Sequence, residues 1–121
     1  MRIRYAIVFV SDMDRSVAFY RDVIGLPLRF ASPAWTEFAT DGATLALHLE
    51  SAAGREGARH SAAGCCRPGL SVPDLDGFHR RMLENGVPCV HAPKDVFGAR
   101  LAQYVDPDGL QISVGEERAG A

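Results

Sequence analysis

Four histidines, three cysteines and a scatter of carboxylates are the side chains here that could bind a metal, move a proton or attack an electrophile. Their spacing decides which of these is open. His48 has the best neighbourhood: it ends the run ATLALHL, which reads as a strand, and Glu37 belongs to WTEFAT, which reads as the strand beside it. Strand alternation puts His48 on the same face as Ala46, where it can meet Glu37 as the start of a metal site or as an acid/base pair. His60 falls in a small, polar, glycine-bearing stretch, His79 stands beside Phe78 on a charged helix surface, and His91 precedes Pro93 near a strand end. None of the three shares an obvious face with His48, and each reads as a solvated or hydrogen-bonded histidine. Cys65 and Cys66 are adjacent and Cys89 is alone, which fits neither a C-x-x-C metal spacing nor a disulfide framework. No local spacing links any of them to a histidine with an orienting acid, so they read as reduced, partly buried thiols.

The elements that must hold these side chains come from an internal repeat. VFVSDMDRSVAFYRDVIGLPL (8–28) aligns with GLSVPDLDGFHRRMLENGVPC (69–89), matching Val10 to Val72, Asp12 to Asp74 and Asp14 to Asp76; Gly25-Leu-Pro falls on Gly86-Val-Pro once one residue is deleted. Later, TDGATLAL (40–47) falls on PDGLQISV (107–114), an Asp-Gly turn leading into a strand in both copies. IRYAIVFV is β-branched and aromatic, as strands are; Asp12 can cap a helix on which Met13, Val17, Tyr20 and Ile24 recur at helical spacing, and Gly25 ends it. LPLRFA and WTEFAT follow as strands around Ser32-Pro33, then Asp41-Gly42 turns into ATLALHL. Each copy is therefore a βαβββ unit. The second has strands near 66–72, 88–92, 99–105 and 110–115 and a helix near 74–85 with Leu75, Phe78 and Met82 inward. The chain reads as one α+β domain over residues 1–121, built of unit 1 (3–50), a linker (51–64) and unit 2 (65–115).

Composition bounds the function classes. A chain of 121 residues, nearly half of them hydrophobic, can bury one proper core. A net charge of −2 with no basic stripe interleaved with aromatics argues against a nucleic-acid partner. No apolar run approaches the roughly 18 residues of a membrane span and no signal peptide is visible, so neither a membrane partner nor export is expected. A cytoplasmic location is.

The tandem βαβββ units, the V-x-D-x-x-x-S-x-x-F-Y-x-x-x-x-G-L run from Val10 to Leu26 and the closing DPDG from Asp106 to Gly109 resemble the vicinal-oxygen-chelate superfamily over residues 3 to 115. That group includes glyoxalase I, extradiol dioxygenases, fosfomycin-modifying enzymes and the bleomycin-resistance proteins. The resemblance implies two curled mixed sheets forming a shared cup that binds ligands, and a homodimer. In metal-dependent members it places a His five residues before the last Val of a unit's first strand and a carboxylate four residues after the turn Gly before its last. Those places hold Tyr5, Arg67, Ala46 and Ser113 here, none a good ligand for a divalent cation.

No metal or cofactor is therefore expected. The resemblance instead suggests a planar or hydrophobic small molecule, stacked among Tyr5, Trp35, Phe97 and Tyr104 at the cup and its margin. Glu37, His48, Arg67, Ser113 and, more weakly, Arg100 are the polar candidates for contacting it. Phe9, Phe19, Tyr20, Phe30, Phe38 and Phe78 are expected in the core. The reading that follows is a metal-independent binding protein, close in character to the bleomycin-resistance members. The alternative is a lyase or dioxygenase of the same group using unusual ligands or metal-free acid/base chemistry through Glu37, His48 or Tyr5.

Overall fold

The repeat folds twice as strand, helix and three further strands. The structure, a computed structural model, describes residues 3–50, 66–96 and 98–117. The chain divides into two compact units, Met1–Ala58 and Arg59–Ala121. The expected linker 51–64, and with it His60, lies outside the described residues, as do Cys65 and Phe97.

In the first unit β1 (Tyr5–Val10) leads into α1 (Met13–Ala18), and β2 (Leu28–Ala31), β3 (Trp35–Phe38) and β4 (Thr44–Leu49) complete a sheet of order β1-β4-β3-β2. The Asp12 carboxylate accepts from the Arg15 backbone N–H at 3.1 Å, the cap its sequence position predicts. After Ala18 the helix widens into a π-helical stretch, Phe19–Ile24, that ends at Gly25 with φ 96°. Such a wide turn is how a helix absorbs one added residue. The first repeat is longer than the second by one residue at this place, and α2 carries no such stretch.

β1 runs parallel to β4 while β3 runs antiparallel to both of its neighbours, and side chains alternate between two faces along β1, β4 and β3, with a register shift between Leu28 and Phe30 in β2. Val8, Val10, Leu45, Leu47, Thr36 and Phe38 point to the helix side and are buried with Met13, Tyr20 and Ile24. Each such large apolar side chain contributes roughly 1.5–3 kcal/mol by leaving water. Phe9 and Phe30 depart from expectation: they are 58% and 53% exposed. Phe9 has the parity of Tyr5 rather than of Val8 and Val10, and Phe30 pairs with Glu37, so both stand on the face that no helix of this unit covers.

In the second unit β5 (Gly69–Val72), α2 (Leu75–Glu84), β6 (Cys89–Val96), β7 (Ala99–Val105) and β8 (Gln111–Glu116) give the order β5-β8-β7-β6. Leu75, Phe78 and Met82 of α2 are buried, as their spacing predicts. β6 runs past its expected end near 92, because irregularities in its pairing on either side of His91 let Pro93, which has no N–H to give, pass through the strand. Asp106 organises the β7–β8 turn: its buried Oδ1 accepts from the backbone N–H of Asp108 and of Leu110, both at 2.9 Å, and Gly109 takes φ 85°. Both described cysteines, Cys66 and Cys89, are free and exposed rather than partly buried. No helix among the described residues is long and apolar enough to cross a membrane.

Candidate functional site

The uncovered face of the first sheet gathers the aromatic candidates. Register places Trp35 opposite His48 and His48 beside Phe9, while Tyr5 lies beside Thr44. Their rings form a continuous chain: Tyr5 to Trp35 at 5.9 Å and 75°, Trp35 to His48 at 6.0 Å and 89°, His48 to Phe9 at 5.2 Å and 45°. Neighbouring rings at steep angles make corners, in which a planar molecule can lie on one ring face while its edge meets the next.

Trp35 is fixed by a hydrogen-bond relay. Its indole N–H donates to Glu37 Oε2 at 2.8 Å, and Arg29 donates through Nη2 to Glu37 Oε1 at 3.1 Å and also to the Thr44 hydroxyl. The indole N–H, and then the Arg29 guanidinium, hold the Glu37 carboxyl below the usual carboxylate range against the opposing effect of desolvation. Arg29 was missed at the sequence level, although it sits in LRFA, the strand paired with that of Glu37, where a cross-strand ion pair has a natural place.

The second sheet distributes its candidates differently. Ser113 is on the uncovered face, where Gln103 donates from Nε2 to its hydroxyl at 3.4 Å, and His91 stands opposite Gln103 in the next strand. Arg67 is exposed in the segment before β5 rather than on the strand. Tyr104 and Arg100 depart from expectation, because even-numbered positions of β7 face α2. Tyr104 is fully buried, lies edge-on to Phe78 with centroids 5.6 Å apart, and shares a hydrogen bond of 2.9 Å between its hydroxyl and His79 Nδ1. Burial, helped by Cys89, pushes its phenol up to about 12. Arg100 pairs with Asp76 of α2 at 2.9 Å and with Glu116 of β8 at 3.4 Å. Glu116 in turn accepts from the Leu75 N–H at the start of α2, at 3.0 Å. Tyr104 and Arg100 thus fasten the helix to its sheet.

The side chains at the places where the resemblance puts metal ligands, Tyr5, Ala46, Arg67 and Ser113, do not fit a divalent metal, and among the described residues no group of three His, Cys, Asp or Glu comes together. His48 and Glu37 share a face but not a row: His48 pairs with Trp35, Glu37 with Ala46. His48 Nδ1 lies 2.8 Å from the Leu49 carbonyl, and both Glu37 oxygens are engaged.

Comparison with known proteins agrees with this architecture. The sequence pattern of the glyoxalase/bleomycin resistance protein/dioxygenase superfamily matches residues 2–114. The chain belongs to that superfamily. YraH of Bacillus subtilis (strain 168) is 28% identical to it over 119 residues, covering 88% of this chain and 91% of YraH. A lactoylglutathione lyase from Agrobacterium tumefaciens is similar in structure, with TM-score 0.76 and 25% identity, covering 98% of this chain and 96% of that one. So is TnmS3, an antibiotic-binding protein from Streptomyces sp. CB03234, with TM-score 0.74, 26% identity, and coverage of 98% and 97%. Superfamily membership accommodates both catalysis and binding, so the choice between them rests on the side chains.

Proposed function

We propose that this member of the superfamily is a metal-independent binding protein that sequesters a partly aromatic small molecule against the aromatic face of the first sheet. The observation that carries the reading is the chain of rings Tyr5–Trp35–His48–Phe9 on an uncovered sheet face, with Phe9 58% exposed. An apolar surface of this kind is retained where something is to cover it. The relay through Glu37 and Arg29 fixes Trp35 before any ligand arrives, so less ordering entropy is lost on binding. The likeness to TnmS3 supports the same reading.

The likeness to a lactoylglutathione lyase raises catalysis as the competing reading. Metal-free acid/base chemistry through a carboxylate would need one of raised pKa on this face. Glu37 is shifted the other way and already accepts from Trp35 and Arg29, which makes it a weak base. A thermal-shift screen of flat aromatic compounds, run with and without divalent metals on the same plate, tests the proposal. Hits that stabilise equally in both halves of the plate and change the emission of Trp35, the single tryptophan, are expected. Stabilisation that appears only with metal would overturn it.

A further inference from the structure

At the Tyr5 end of the ring chain the sheet face opens into a cavity of about 580 Å³, lined among others by Arg4, Tyr5, Arg29, Glu37, Asp41 and Thr44. Its charges are not equivalent. The Glu37 carboxylate is matched by Arg29, whose two hydrogen bonds, to Glu37 and Thr44, both leave from Nη2 and leave Nε and Nη1 for another acceptor. Arg4 lies with its guanidinium carbon over the Tyr5 ring, 5.4 Å from its centre and within cation–π distance, a contact that uses no N–H as a hydrogen-bond donor. Asp41 is exposed in the turn before β4, where water screens it. Two guanidinium groups thus flank a cavity that shares Tyr5 with the aromatic face, and among the described residues Arg4 makes no ion pair, its nearest carboxylate influence being the longer-range one on Glu37.

We propose that this cavity is an anion subsite: Arg4 and Arg29 receive a carboxylate carried by the aromatic ligand, so that the compound bound is a planar aromatic acid. The inference rests on the aromatic-face reading above. It differs from it in assigning a second group of contacts and a ligand charge. Tyr5 joins the two parts, presenting its ring to the aromatic portion of the ligand and to Arg4. A carboxylate is the group that two N–H edges fit, through paired charge-assisted hydrogen bonds. Since hydrogen bonds to charged groups exceed those to neutral ones by about one factor of ten in affinity, a neutral analogue of the same shape should bind about tenfold more weakly.

The experiment compares 2-naphthoate with 2-naphthamide at neutral pH, following Trp35 emission and confirming by calorimetry, on the parent chain and on Arg4→Gln, Arg4→Lys and Asp41→Asn. The parent should prefer the acid about tenfold, Arg4→Gln should cut that preference to about threefold, the part Arg29 still supplies, Arg4→Lys should keep more of it, and Asp41→Asn should enlarge it. Thermal unfolding of each variant checks that the fold is intact, as expected for exposed positions. Equal affinity of the parent for both probes, or a preference that survives Arg4→Gln in full, overturns the anion subsite and leaves the aromatic face standing. Failure of both probes to bind overturns the two together.

Discussion

Replacing Tyr104 by Phe separates a structural tyrosine from a ligand contact, which is the distinction on which the assignment of the site turns. The change deletes one hydroxyl from a fully buried side chain and with it the 2.9 Å hydrogen bond to His79. The ring and its edge-on contact with Phe78 remain. A net hydrogen bond is worth about 1 kcal/mol, so the variant should be destabilised by about that amount at neutral pH. For a chain of this size the melting temperature should fall by about 4 °C. Titration supplies a second signature. Burial raises the phenol from its ordinary 10 to about 12 in the folded protein. Below pH 10 both folded and unfolded chains hold the proton and the full difference between parent and variant is present. Between about pH 10 and 12 the unfolded parent ionises while the folded parent cannot, so the parent loses stability that the Phe variant has no means to lose. The stability gap should close as pH rises through that window.

The assay is thermal and urea unfolding of both proteins from pH 7 to 12, together with titration of an aromatic ligand at pH 7. A lower melting temperature, a gap that closes at high pH and an unchanged ligand affinity are expected. An unchanged melting temperature with weakened ligand binding would place Tyr104 on the proposed binding face and refute the assignment of alternate β7 residues to α2.

Three further outcomes follow from the same geometry. Because Glu37 is held below its ordinary value of 4.5, its contacts with Trp35 and Arg29 persist at and above that pH and are lost as pH falls through the lowered value; Trp35 emission should therefore be flat from neutral pH down to about 4.5 and shift below it, and Glu37→Leu should give the shifted spectrum already at neutral pH. On the metal-independent reading, chelator treatment should leave the melting temperature unchanged, and one equivalent of zinc, nickel, manganese or iron surviving dialysis would overturn that reading. Asp106→Ala should destabilise by about 2 kcal/mol in urea unfolding, since it removes the acceptor of two backbone N–H groups, whereas Asp106→Asn, which keeps a carbonyl oxygen, should cost less.

The fold was legible because its signals are local and occur twice. The strand before Asp12, the cap itself, the helix ended by Gly25, and the Asp-Gly turns each follow from a few residues, and the second copy repeats them. Even the one-residue mismatch between the copies has a physical counterpart in the π-helical stretch Phe19–Ile24. The aromatic face was legible in part. Trp35, Glu37 and His48 stand on the expected side of their strands, but the hydrogen bonds that tie Glu37 to Trp35 and Arg29 depend on rotamers, and no spacing in the sequence specifies those.

The misplaced residues have a common origin in strand parity, and parity was recoverable. Taking Tyr5 as facing outward commits Phe9 to the same face four residues on, so an outward Tyr5 and a core Phe9 are incompatible on one regular strand. The same constraint acts across the second hairpin. A turn spanning Asp106 to Leu110 pairs Val105 with Gln111, then Tyr104 with Ile112 and Gln103 with Ser113. If Ser113 is on the uncovered face, Gln103 is there with it, and Tyr104 must turn the other way, against α2. The hydrophobic pattern of β7 alone does not reveal this, because ARLAQYV carries an apolar residue on both faces and a polar one on each. The register does, since a sheet with a helix on one side leaves each side chain only two choices and every pair across the ladder must make the same one. Applied to the second sheet, that rule puts Tyr104 and Arg100 on the α2 side and Gln103 and His91 beside Ser113 on the other, a row of hydrogen-bonding groups where the resemblance puts the carboxylate of the superfamily's metal-dependent members. A row of that kind offers hydrogen bonds that can orient the polar edge of a ligand, and it carries no carboxylate.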